Sequence, residues 1–422
     1  MKFSIITFFT FVFLATFFFD DPYTSMVRRI LYSCFLYLSI FEIYLFCKWK
    51  SKNRNKLKIP SALDYYYYCV YIVICVNLIA DFVNPYLNFI TLFNYPYALM
   101  TIVPVFALEI GYFTNDVSKI FKLFFKISFL FIGVCLLPIK PVLKFYEASI
   151  CAYVILPLSI YFFYKKKYFS YCVFLITAMV IFSFFSDIRT IFLRVILFLC
   201  LVISLSVVKK FTTAKALIIM VVAFVIFQAL ANMQFYLDLF ADELHIKQFN
   251  ADDTRTFLYT ELFDDLNTKQ LFFGKGFLGT YFSEYFLLLQ KTGETNGDSY
   301  IRFTVEVGFL QLILKGGFVF FLLYTLPMIY AAILGIFKGY NNRLIFMLSV
   351  FILNEFFLMF FENIPSYTIN FFILFFLSGY IIKFVKNMEV KPKQNYTKSV
   401  FFDKDKKQLL TNNLDSILSQ TP

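Results

Sequence analysis

A chain of 422 residues that is 60% hydrophobic and 22% aromatic, with 63 Phe and 30 Tyr, excludes a water-soluble globular protein. A soluble domain of that size would expose apolar patches over most of its surface, whereas hydrocarbon accommodates them, and the mean hydropathy is +0.73. The net charge of +12 lies in short loops and a tail, which argues against a nucleic-acid partner; one histidine, and eight Cys without a CxxC pair, leave no metal or cofactor motif.

Apolar runs of about 20 residues, enough to cross about 30 Å of hydrocarbon, fall near 3–19, 27–47, 65–83, 89–110, 121–139, 145–163, 168–186, 188–207, 213–237, 303–334, 343–361 and 365–384. The expected fold is an all-α polytopic membrane protein of about twelve transmembrane helices, spanning residues 1–385. A large extracytoplasmic loop, 239–300, interrupts it between late helices, and a polar cytoplasmic tail, 386–422, follows. The first run has a thin positive region and no small-residue cleavage site, so it reads as a retained span. The run 303–334 is long for one span, and Gly316-Gly317 marks a place for close packing or a kink.

Loop charges orient the set. Lys48, Lys50, Lys52, Arg54, Lys56 and Lys58 crowd one loop without an acid; Lys165 to Lys167, then Lys209, Lys210 and Lys215, then Lys338 and Arg343 follow on the same side. The positive-inside rule makes that side cytoplasmic, together with both termini and Glu109 at the end of the fourth span. The 239–300 segment and the start of the eighth span then face outward, where a substrate must arrive already activated.

Candidate residues cluster at that outer face. Arg189 begins the eighth span and Arg194 follows about 140° around the helix. Each either snorkels to headgroups or faces a cavity, and an unpartnered arginine in hydrocarbon costs about 3 kcal/mol. The guanidinium fork suits a phosphate oxygen pair. The lone His245 sits in a mixed-charge stretch typical of a solvated helix. Arg255 precedes an expected helix over 257–266, with Asp253 or Thr254 as its cap; an anion at the helix start or a salt bridge to Asp252 or Asp253 would explain a cation there. Gly274-Lys275-Gly276 is a plain turn or a point charge for a diphosphate.

From Asp298 the chain is expected to be helical. That places Asp298, Arg302 and Glu306 on one face as a ladder that is either self-neutralising or able to accept a proton. Glu355, beside Asn354, should face a protein cavity and is a candidate for sugar hydroxyls, with Glu362 beyond it.

In these features the chain resembles the O-antigen polymerase and O-antigen ligase superfamily. The resemblance covers about residues 170–385. It rests on Asp187-Ile188-Arg189-Thr190, on Arg255 near the start of the large loop, and on Phe273-Gly274-Lys275-Gly276. At the loop's end stands Gly297-Asp298-Ser299-Tyr300-Ile301, then Glu306-Val307-Gly308. Many members have a histidine where this chain has Gly297, which points away from the ligase branch and toward the polymerase.

The resemblance implies inverting glycosyl transfer between undecaprenyl-diphosphate-linked repeat units at the periplasmic face of a bacterial inner membrane, yielding O-antigen or capsular polysaccharide. Arg189, Arg255, Asp298 and Glu306 would be catalytic, with Arg194, Lys275, Tyr300, Arg302 and Glu355 binding substrate. It implies no cofactor and no metal, and as partners lipid-linked glycans, membrane lipids, a chain-length regulator and a flippase. A ligase acting on lipid A core shares the donor. A flippase or other polysaccharide transporter shares the hydropathy, but should show internal repeats or polar midplane residues.

Overall fold

The computed structural model describes residues 4–18, 26–53, 61–82, 103–114, 117, 177, 189–208, 211–231, 256–292, 300–362 and 368–390. In chain order the helices are α1 (Ile5–Phe18), α2 (Met26–Asn53) and α3 (Ser61–Phe82), then a 3-10 turn at Val103–Phe106 leading into α4 (Ala107–Phe113). After α5 (Arg189–Val207) and α6 (Thr212–Ala231) come the short α7 (Thr256–Asp265) and α8 (Thr268–Phe273). Strand β1 (Tyr281–Phe282), α9 (Glu284–Thr292) and strand β2 (Ile301–Arg302) precede α10 (Gly308–Phe337), α11 (Arg343–Leu358) and α12 (Ile369–Val390).

The chain is therefore largely α-helical. Among the described residues, four stretches are long and apolar enough to cross a membrane: Ile30–Asn53, Ala62–Asp81, Gly308–Phe337 and Ile369–Met388. They fall on the second, third, tenth and twelfth expected runs. Helices α1, α5, α6 and α11 occupy four more of those runs, and α4 lies on the end of the fourth. The runs 121–139, 145–163 and 168–186 lie outside the described residues, Thr177 apart, as does the tail beyond Val390. Helix α12 extends six residues past the expected end at 384, carrying Lys386 with it.

The core forms where α10, α11 and α12 meet, with α1 and α4 laid against α12. Phe8 meets Phe372 edge-on at 5.4 Å and Phe9 meets Phe376 at 5.1 Å. Glycines bring α4 and α12 together backbone to backbone. A Cβ at Gly111 would stand 1.9 Å from the Phe376 carbonyl oxygen, and one at Gly379 would stand 1.9 Å from that of Leu108. Small residues at a helix crossing allow that approach.

Helix α10 breaks where the paired glycines suggest. Gly317 has φ 69° and ψ −172°, a conformation open essentially to glycine alone. A second glycine turn, Gly274 at φ 76°, seats against the break. A Cβ on Gly317 would lie 2.1 Å from the Phe272 carbonyl carbon, and one on Gly274 would lie 2.4 Å from the Gly316 nitrogen. The break thus receives the end of α8, and the Lys275 amide donates to the Leu314 carbonyl at 2.8 Å.

One expectation is overturned. Residues 300–307 are not helical: Ile301 and Arg302 pair antiparallel with Phe282 and Tyr281, and α10 starts at Gly308 after an extended Val307. The tenth run therefore begins five residues later than its apolar onset at 303. The physical reason lies in Ile301, Thr304, Val305 and Val307, whose β-branching favours extended backbone. Val305 and Val307 are buried beside Tyr281, Leu258, Leu262, Leu310 and Leu314 in a small satellite core.

Candidate functional site

Residues 256–292 and 300–307, between α6 and α10, close onto one end of the bundle. The Phe309 amide donates to the Met359 carbonyl at 2.9 Å, and the Gly308 amide donates to the Glu362 carbonyl at 3.3 Å. Tyr259 of α7 donates its hydroxyl to the Phe360 carbonyl. Burial pushes that phenol well above its ordinary ionisation range.

At the same end, the Asp81 carboxylate at the foot of α3 accepts the Phe277 amide at 3.1 Å and the Leu278 amide at 2.9 Å. Lys315 of α10 donates to the Gly279 carbonyl at 2.8 Å. A carboxylate and an ammonium, each 1% exposed, thus grip the two sides of one turn. Charges in such a setting persist only when paired or hydrogen-bonded.

One turn deeper lies the Arg194–Glu355 pair, Nε to Oε1 3.1 Å, with side chains 4% and 0% exposed. Asn354 donates to the Arg194 carbonyl at 3.4 Å and to Glu355 Oε1 at 3.3 Å. Glu355 therefore faces protein, as a carboxylate in an apolar helix must, and it binds α5 to α11 beside the edge contact of Phe198 with Phe351.

Arg189 is the first residue of α5, five residues before Arg194, and its side chain lies outside the described residues. Arg255, His245 and Asp298 lie outside them too; the helix expected after Arg255 is present as α7. Lys275 pairs with Asp265 at 2.6 Å, the two side chains 18% and 27% exposed.

Arg302 and Glu306 do pair, Nη2 to Oε1 3.6 Å. The pairing is made across a strand end and loop, not along a helix face. The Arg302 guanidinium lies 3.7 Å from the centre of the Phe286 ring. Tyr300 is exposed, its ring 5.8 Å from that of Phe282, while its carbonyl accepts the Ser283 amide at 2.9 Å.

Glu261 was not singled out from the sequence. It accepts the Ser283 hydroxyl at 2.6 Å and the Tyr285 amide at 2.8 Å, anchoring the start of α9. Nothing in its mixed-charge neighbourhood marks it. Asp81 and Lys315 carried a readable signal, since both are charges at the end of or inside an apolar run. Among the described residues no group of three or more metal-ligating side chains comes together.

Comparison with protein-family models, curated proteins and solved structures gives no match for this chain. What the fold defines is a class: a largely α-helical protein with, among the described residues, four helices of membrane-crossing length and composition, one end of the bundle being met by short helices and a two-stranded ribbon.

Proposed function

We propose that the chain is a polytopic membrane glycosyltransferase of about twelve spans. It polymerises undecaprenyl-diphosphate-linked oligosaccharide units at the periplasmic face of a bacterial inner membrane into O-antigen or capsular polysaccharide. The observation that carries the reading is convergence. The start of α5, the α7 helix that follows Arg255, and the loop bearing Glu306 all attach to the end of the bundle where α11 finishes.

The alternation of sides drawn from loop charge supports it. Lys50 contacts Glu109, Lys215 donates to the Ile336 carbonyl at 2.8 Å and Lys383 to that of Thr114 at 3.2 Å, all positions assigned to the inner side. Asp81 with Phe277, and Phe309 with Met359, join positions assigned to the outer side.

In the reaction, an acceptor hydroxyl oxygen attacks the anomeric carbon of the donor from the face opposite the diphosphate. The new C–O bond forms as the bond from that carbon to the diphosphate oxygen breaks. The electron pair leaves with the diphosphate, and the hydroxyl proton passes to a carboxylate, Asp298 or Glu306. Arg189 and Arg255 stabilise the growing charge on the leaving group as preorganised donors, while Lys275 and Arg302 are neutralised by Asp265 and Glu306. The buried Arg194–Glu355 pair holds α5, and with it Arg189, in place.

Glycolipid analysis of a deletion strain complemented with Arg189→Ala or Arg255→Ala tests the reading. Each inserted variant should leave single repeat units and no chain-length ladder. A ladder of ordinary length in the uncomplemented deletion strain would overturn the reading, and one from both variants would overturn the role given to the two arginines. Long chains stranded on undecaprenyl diphosphate in the deletion strain would point to ligation instead.

A further inference from the structure

Two buried polar groups face each other across the β1–β2 ribbon without a partner among the described residues. Tyr281 and Arg302 are directly opposed in its register. Opposed residues of an antiparallel pair put their side chains on the same face. Neither the Tyr281 hydroxyl nor the Arg302 Nη1 has a hydrogen-bond partner among the described residues, although both atoms are buried.

The neighbouring acceptor oxygens are occupied, while the buried Gln311 Nε2 also has no partner among the described residues. Glu261 accepts the Ser283 hydroxyl and the Tyr285 amide. The Gln311 oxygen accepts the Val305 amide at 2.8 Å. Arg302 Nη2 is turned to Glu306, and the flat of the guanidinium rests on Phe286. Buried polar atoms are nearly always paired, so two unpaired donors on one face call for an explanation.

The chemistry of the two groups limits the ligand. A guanidinium only donates, and a phenol held neutral donates or accepts. Burial raises the Tyr281 phenol above its ordinary range; the Arg302 charge opposes that rise and those of Glu261 and Glu306 add to it. The missing partner is therefore an acceptor oxygen. One guanidinium stands among two carboxylates, so the site carries no surplus positive charge and an anion is disfavoured. Tyr281 is 1% exposed, the Arg302 side chain 20% and that of Glu306 41%, so exposure rises from the phenol to the carboxylate.

We infer that Tyr281 and Arg302 form a binding site for an uncharged sugar, whose hydroxyl or amide oxygen accepts from both while the Glu306 carboxylate accepts from a neighbouring hydroxyl. This deepens the glycosyl-transfer reading and rests on it for the role: the sugar is the acceptor unit, held beside Glu306, one of the two carboxylates proposed to take its proton. Binding itself needs no lipid diphosphate, so the two claims fail separately.

The test uses the full chain in lipid nanodiscs and saturation-transfer NMR. The probes are maltotriose, chitotriose and lactose as neutral sugars, with trigalacturonate and inorganic phosphate as anions. At least one neutral sugar should give transfer that falls fivefold or more in Tyr281→Phe and in Arg302→Gln, while the anions give less. Tyr281→Phe should also unfold no earlier than the unaltered chain, because it removes a hydroxyl without a partner. Arg189→Ala should keep sugar transfer whatever it does to polymer formation.

No transfer from any neutral sugar, stronger transfer from the anions, transfer that survives Tyr281→Phe, or an unfolding midpoint lowered by that substitution would each overturn the inference. Loss of polymer in Arg189→Ala with transfer retained supports both claims. Retained polymer with retained transfer removes Arg189 from the reaction and leaves the sugar site standing.

Discussion

Arg194 and Glu355 neutralise each other inside the bundle, 3.1 Å apart, with less than a twentieth of either side chain exposed. An arginine that looked free to reach headgroups or substrate is instead committed to a neighbouring helix. Removing one member strands a charge where neither water nor a counter-ion reaches it, which costs about 3–5 kcal/mol, while replacing both by apolar groups of similar size is close to neutral. Arg194→Met and Glu355→Leu should each lower the unfolding midpoint sharply, and the double variant should recover most of the loss. Additive losses measured by reversible unfolding in bicelles would show that the two residues act independently.

The glycine break in α10 gives a second expectation. Alanine at Gly317 meets backbone at 2.1 Å and must hold φ near 69°. Conformations of that kind cost about 1–3 kcal/mol before any clash is counted. Gly317→Ala should therefore push the turn at Gly274 off its seat and expose the peptide bond after Lys275. Limited trypsin digestion followed by mass spectrometry should find faster cleavage there than in the unaltered chain. Unchanged cleavage would mean the turn holds without the glycine.

How far the fold can be read from sequence depends on the range of the interaction. The apolar runs at α2, α3, α10 and α12 and the break at Gly316-Gly317 are local properties, and hydropathy and glycine pairing disclose them. The link between Arg302 and Glu306 was also legible, because the residues are four apart, yet the same spacing was misread as helical. β-Branched neighbours and the cross-strand partners Tyr281 and Phe282 decide against a helix, and pairing with distant residues is invisible to a periodicity argument. Asp81 reads as a charge at a span's end whether it meets headgroups or accepts the amides of Phe277 and Leu278. The choice between those outcomes belongs to tertiary structure.

Tyr259 links stability to alkaline pH. Burial raises its folded-state ionisation above the ordinary value of 10.0. The folded state then keeps a proton that the unfolded state gives up, so this contribution is fully present below about pH 10 and is lost as pH rises beyond it. Tyr259→Phe removes a hydrogen bond to Phe360 at every pH, but it also removes the titration. Its stability curve should lie below that of the unaltered chain at neutral pH and converge on it above pH 10. Parallel curves across that window, followed by denaturant titration, would mean the phenol ionises alike in both states.

The final prediction concerns the kind of positive charge that the proposed reaction needs. Arg189 heads α5, and Arg194 below it is held by Glu355, so the helix start is fixed against α11 rather than free to adjust. A guanidinium on a fixed backbone offers two parallel N–H donors to one pair of oxygens, whereas an ammonium offers a compact charge on a flexible stem. If Arg189 and Arg255 stabilise a departing diphosphate, Arg189→Lys and Arg255→Lys lose the two-point contact while keeping the charge. Loss of one preorganised donor slows comparable reactions by about 10²–10³-fold. Chain-length ladders from both lysine variants should therefore shrink to the shortest species, with the inserted amount of protein unchanged on immunoblots. Ladders restored to full length by lysine would assign the arginines a general attraction for anionic substrate and leave stabilisation of the leaving group to other residues.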